Sequence, residues 1–234
     1  MRARVLAAIA CAALWFGPGG ARASDLDEDF QVWSPVILQF DIGQKVLRGW
    51  VELQPRFDAD AGRLGVLLWR PALGVYLHEW VTLWGGYAFV ERLRPAYAAE
   101  HRVWEQLQVA GALDEEKRIK VLGRLRMEHR LREGADPVAH RLRLLLRGQV
   151  SLLDPAPPSV YLLAWNEVFL GFNTVEWIGQ PSGFDRNRAF VGLGVQVLEQ
   201  LRVEAGYMLE VVRRRGPADE LGNHVLALTV WIDL

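Results

Sequence analysis

The chain has 234 residues, a formal net charge of −1 and 51% hydrophobic residues. A balance this close to neutral excludes the basic footprint of a nucleic-acid binder. Its single cysteine excludes a disulfide framework.

Residues 1–23 predict a secretory signal. Arg2 and Arg4 form a basic start, Val5 to Phe16 an apolar core, and Ala21-Arg22-Ala23 a small-x-small cleavage site. That core falls short of the roughly 20 residues a spanning helix needs. Cys11 would leave with the leader, so 24–234 would form one domain without a thiol. After residue 23, Arg, Glu or Gln interrupts every apolar run. If the remainder enters a membrane, it must do so as a closed barrel, because only helices and barrels satisfy the backbone in lipid.

Alternating segments follow, separated by turn-rich stretches, as barrel strands are. Phe30 to Ile42 places Val36, Leu38, Phe40 and Ile42 in one phase. Val46 to Phe57 sets Leu47, Val51 and Leu53 against Arg48, Trp50, Glu52 and Arg56. Leu64 to Leu77 puts Trp69, Leu73 and Val75 outward with Arg70 opposite, and a tight turn at His78-Glu79 leads into Val81 to Val90. There Gly86 and Ala88 flank the phase of Trp84, the small residues a crowded barrel interior requires. Glu91 to Glu100 reads as a polar loop and His101 to Val109 as a weaker strand broken by Glu105.

The next two segments carry the densest charge. Arg124, Arg126, Glu128, Arg130 and Arg132 alternate with Leu125, Met127, His129 and Leu131. After a loop at Gly134 to Pro137, Arg141, Arg143 and Arg147 oppose Leu142, Leu144 and Leu146. Glu115 to Arg132 also admits an amphipathic helix with Ile119, Leu122, Leu125 and His129 on one stripe. That helix would strand Val121 and Leu131 among charges, whereas a strand puts every charge on one side. Asp154 to Pro158 breaks the chain before a strand at Tyr161 to Asn173 carrying Trp165 and Glu167. A long loop is expected at Thr174 to Arg186. Arg188 to Val197 and Leu201 to Val212, joined at Glu199-Gln200, place Arg188, Arg202, Glu204 and Glu210 inward. A loop from Arg213 to Gly222 precedes the last strand, Asn223 to Leu234.

Eleven segments alternate. Single-chain bacterial barrels have even strand numbers, so the count is off by one, either where Pro35 divides Asp25 to Gly43 into two short pieces or within Glu91 to Arg118. Twelve is expected, with ten as the alternative. The fold class expected is therefore all-β: a closed antiparallel transmembrane barrel, monomeric, in a bacterial outer membrane. Its partners would be outer-membrane lipid and, during biogenesis, the barrel-insertion machinery. Trp69, Tyr76, Trp80, Phe89, Tyr161 and Tyr207 are expected in aromatic girdles, and long loops at one end should oppose tight turns at the other.

The candidate site is a charged lumen. Arg48, Glu52, Arg124, Arg126, Glu128, Arg130, Arg141, Arg143, Arg147, Glu167, Arg188, Arg202 and Glu204 share the inward phase. Arginine rings attract anions in pores; Arg–Glu ladders also simply hold a narrow barrel closed. A Ser–His hydrolase at the rim is disfavoured, because Ser151 faces inward while His129 and His140 fall in the outward phase, and a nucleophile needs its base within hydrogen-bond reach. No His or Cys spacing suggests a metal, and no cofactor motif is present. The function expected is non-enzymatic, a scaffold or a narrow conduit for small solutes. The alternatives are a rim-active lipid hydrolase and a soluble periplasmic β-protein binding an apolar ligand.

Asp29 to Trp33, Arg70 to Gly74 with Leu83 to Tyr87, Asn166 to Phe169, and Gly183 to Arg188 followed by Phe190 to Gly194 and Glu204 to Tyr207 together resemble the domain of unknown function 2490, a family of uncharacterised bacterial outer-membrane barrels. The resemblance implies the fold and a membrane, and brings no activity and no catalytic residues.

Overall fold

The computed structural model describes residues 27–43, 46–94, 96–213 and 220–234. The expected signal with Cys11, together with Gln44, Pro95 and most of the Arg213–Gly222 loop, lies outside the described residues. Twelve strands form one sheet: β1 (Asp27–Trp33), β2 (Val36–Ile42), β3 (Leu47–Asp58), β4 (Arg63–His78), β5 (Val81–Arg92) and β6 (Ala98–Ala112). They continue as β7 (Ile119–Arg132), β8 (Ala135–Ser151), β9 (Ser159–Gly171), β10 (Gly183–Gln196), β11 (Leu201–Arg213) and β12 (Glu220–Asp233). Residues 119–132 are strand, so the helical alternative fails there.

From β3 to β12 each strand pairs antiparallel with the next. β1 and β2 share the remaining slot, both running parallel to β12 and antiparallel to β3. Trp33 faces Ala227 and Arg56, and Val36 faces Val230 and Leu53. The partners thus advance three residues across the break, as the chain itself does, so β1 and β2 are one strand in unbroken register. The interruption is Ser34-Pro35, where proline has no N–H to give the ladder; its carbonyl still accepts from Val230 N at 2.9 Å. The twelve expected strands are present, with Pro35 dividing the first, but the ring they close has eleven positions. An odd ring of alternating directions must bring its first and last strands together parallel. The closure therefore departs from the fully antiparallel pattern at this one seam.

We call the end bearing residues 172–182 upper and the end bearing Leu234 lower. The expected asymmetry of loops is narrow: 172–182 is long, but 113–118 and 152–158 lie at the lower end among the tight turns. Three expected loops are shorter than read. β6 begins at Ala98, β8 at Ala135 and β10 at Gly183, so Glu100, Asp136 and Asp185 belong to strands.

Side chains alternate across the wall except where the register shifts at bulges. Val103, Val191 and Leu193 are about half exposed (51–52%), whereas Arg126, Glu128 and Arg130 are 1% exposed. The lower interior is aromatic: Trp50 meets Trp84 and Trp231 edge-on at 5.7 and 5.8 Å, with Trp104 buried in the same cluster. Glycines create the room. A Cβ at Gly74 would strike the Trp84 ring, one at Gly86 the Trp104 ring, and one at Gly194 the Tyr161 ring. Tyr161 is therefore an interior residue, 2% exposed, and not part of a girdle. Trp69, Trp80 and Tyr207 do face outward, at 41–46%.

Candidate functional site: an arginine-lined interior

The strand register determines which charges meet. Glu128 lies directly opposite Arg141, Arg188 opposite both Glu167 and Glu210, and Arg70 opposite Glu52. Opposite charges at such positions attract, and like charges repel. Two like pairs also arise, Arg126 with Arg143 and Arg102 with Arg130. Carboxylates bridge these. Glu100 accepts from Arg130 at 2.6 Å and Arg102 at 2.7 Å. Glu128 binds Arg141 and Arg143, each at 2.6 Å, and lies 3.8 Å from Arg126.

The network continues round the wall. Glu167 takes Arg143 at 2.7 Å and Arg124 at 2.5 Å, with Arg188 at 3.7 Å. Glu210 takes Arg188 at 2.7 Å and Arg186 at 3.2 Å. Below these, Glu52 accepts from Arg70 at 2.7 Å and from the Trp50 indole at 3.3 Å. Toward the lower end, Glu204 accepts from Arg147 at 2.5 Å and the Tyr161 hydroxyl at 2.8 Å. Asp233 joins Arg202 at 2.5 Å to Arg48 at 3.0 Å. Arg126 stacks over Trp104 with its guanidinium 4.0 Å from the ring centre, and its Nε donates to Gln106 at 2.8 Å.

All thirteen candidate residues thus lie within this network, from the Arg48–Asp233 pair at the lower rim to Arg130 near the upper one. Several partners had no sequence signal. Glu100 sits in a stretch that reads as loop. Asp185 is the extra residue where the β9–β10 register shifts between Phe184 and Arg186. A bulge of this kind breaks the alternation from which inward residues are read. Asp185 is 2% exposed and accepts from Arg141 at 3.1 Å. Gln180, from the long upper loop, is 1% exposed, and its Oε1 accepts from Arg130 at 3.4 Å.

Two cavities flank the centre, about 560 Å³ above and about 630 Å³ below. They share Trp33, Arg56, Arg70, Arg143 and Arg188 as lining, so these side chains partition the lumen. Arg56 and Arg188 stack on the Trp33 ring at 3.9 and 4.8 Å. Arg143 and Arg188 lie over Phe169 at 4.6 and 4.8 Å. Cation–π contacts strengthen when desolvated. The hydrolase residues stay apart: Ser151 is buried at the lower end of β8, while His129 and His140 bond each other at 2.8 Å on the outer wall.

The family described as Protein of unknown function (DUF2490) matches residues 30–221. The chain belongs to this family. An uncharacterised protein of Methylorubrum extorquens is 32% identical over 219 residues, covering 91% of this chain and 92% of that protein. No solved structure matches. The DUF2490 match takes in every candidate residue, from Arg48 to Glu204, and leaves out only Asp233 of the interior charges described above.

Proposed function

We propose that this DUF2490 chain is a non-enzymatic outer-membrane barrel whose interior is a sealed structural core. The observation that carries the membrane reading is the inverted wall: leucines and valines are exposed while arginines and glutamates are buried. Soluble proteins mostly keep Arg and Glu on the surface and leucine and valine inside, whereas barrels in lipid turn their apolar side out. The distance fits as well. Outward residues of β8 run from His140 to Val150, about 34 Å of strand. At a tilt of about 40° that spans roughly 26 Å, enough for the apolar band of about 25 Å. Tyr87 with His101, His129 with His140, and Tyr207 with His224 form bonded polar–aromatic pairs toward the upper edge of the band, where an interface would lie.

Sealing rests on the partition. Trp33, Arg70, Arg143 and Arg188 are 5–8% exposed and interlock by stacking and ion pairing. A chain folded into planar bilayers is expected to show no steady conductance, while the Trp33→Ala/Arg56→Ala double variant opens measurable, anion-preferring steps. Steady conductance of the wild type would overturn the sealed reading and favour the second one, a narrow anion conduit, which the surplus of arginine supports.

A further inference from the structure

We propose that the upper cavity is a binding site for a small multivalent oxyanion of the phosphate class. The inference stands on the cavity alone and does not need the barrel to sit in a membrane. Ten arginines and four carboxylates line the space. The nearby acids are already committed: Glu100, Glu128 and Glu210 each serve two guanidiniums. Of the lining carboxylates, Asp58 is engaged by Arg63 at 2.7 Å.

That leaves Arg56 and Arg92 with no carboxylate within ion-pair range among the described residues. Arg56 donates only to Gln54, at 2.9 Å, and its buried Nε has no partner; the buried Nε of Arg70 has none either. Arg92 is exposed at the upper rim, but Arg56 is half-buried, and a guanidinium withdrawn from water without a counter-charge is destabilising; unpaired N–H donors add to that cost. An anion in the cavity supplies the counter-charge that Arg56 lacks. Guanidinium forks match oxyanions in planar, paired hydrogen bonds. Here they converge from β3, β4, β5 and β10, so a tetrahedral ion with several oxygens is served better than a planar carboxylate with two. The volume, about 560 Å³, is that of a small-molecule site.

Titration calorimetry on the full chain folded in zwitterionic micelles tests this, with inorganic phosphate, glycerol phosphate and chloride as probes. Folding of each variant is checked by heat-dependent gel mobility. Phosphate is expected to bind in a saturable way, and Arg56→Gln to weaken it about ten- to a hundredfold, the loss of a charged hydrogen bond. Arg92→Gln provides a second reading should Arg56→Gln not fold. Arg118→Gln, at the lower end and paired with Glu116, should leave the affinity unchanged. Tighter binding of glycerol phosphate supports a phosphate ester as ligand, and tighter binding of phosphate supports the free ion. The proposal is overturned if a folded barrel binds neither, if chloride binds equally well, or if Arg118→Gln weakens binding as much as Arg56→Gln. Any of these leaves the sealed-barrel reading standing.

Discussion

Replacing Glu128 with Gln is expected to lower the unfolding free energy of the barrel by about 3–5 kcal/mol, the cost of breaking a buried ion pair from one side. Glu128 is 1% exposed and holds Arg141 and Arg143 through separate oxygens. Glutamine keeps the volume but withdraws the charge, so Arg141 loses its bidentate partner and Arg143 loses one of its two carboxylates at once. Asp185 keeps one contact to Arg141 and Glu167 keeps three hydrogen bonds to Arg143, which is why the loss should not exceed this range. Urea unfolding followed by tryptophan fluorescence reads it directly, since Trp104 lies on the neighbouring strand opposite Glu128. A shift below about 1 kcal/mol would mean that water solvates these arginines, and the description of an interlocked core would fail.

The second large effect lies on the other face. Leu144, 43% exposed, sits halfway along β8. If hydrocarbon covers it, Leu144→Arg destabilises the barrel in bilayers by about 2–4 kcal/mol, whereas Leu152→Arg, at the lower edge, costs roughly 0–1. If water covers both, each substitution should fall within about 0.5 kcal/mol. Reversible unfolding in lipid vesicles separates the two cases, and the depth dependence matters more than either value alone.

Most of the wall was legible because period-two alternation needs no long-range information. Arg126, Glu128, Arg130, Leu125 and Met127 reveal their two sides from spacing alone, and that pattern also decides strand over helix at 119–132. Legibility ended where the phase was interrupted or where the ring had to close. Asp185 turns inward at a bulge, and no local rule signals which residue a bulge will insert. Glu100 looks like loop because its neighbours Ala98 and Ala99 carry no alternation. Tyr161 resembles a girdle aromatic until Gly194, on the next strand in the ring, is seen to leave space beneath its ring. The parallel seam was hidden for a different reason: alternation reports which face a residue takes and is silent on how many strands complete the circle. Pro35 marked the divided strand, yet only the shared register with β12 shows that its halves fill one slot.

The central claim is that the outer face of this wall meets hydrocarbon. Spin labels on single cysteines at positions 140, 144, 146 and 152, with Cys11 replaced by Ser, test it in reconstituted vesicles. The account predicts that oxygen collisions peak at 144 and 146, while collisions with a water-soluble nickel complex rise only at 140 and 152. Nickel collisions at 144 as frequent as those at 152 would contradict it.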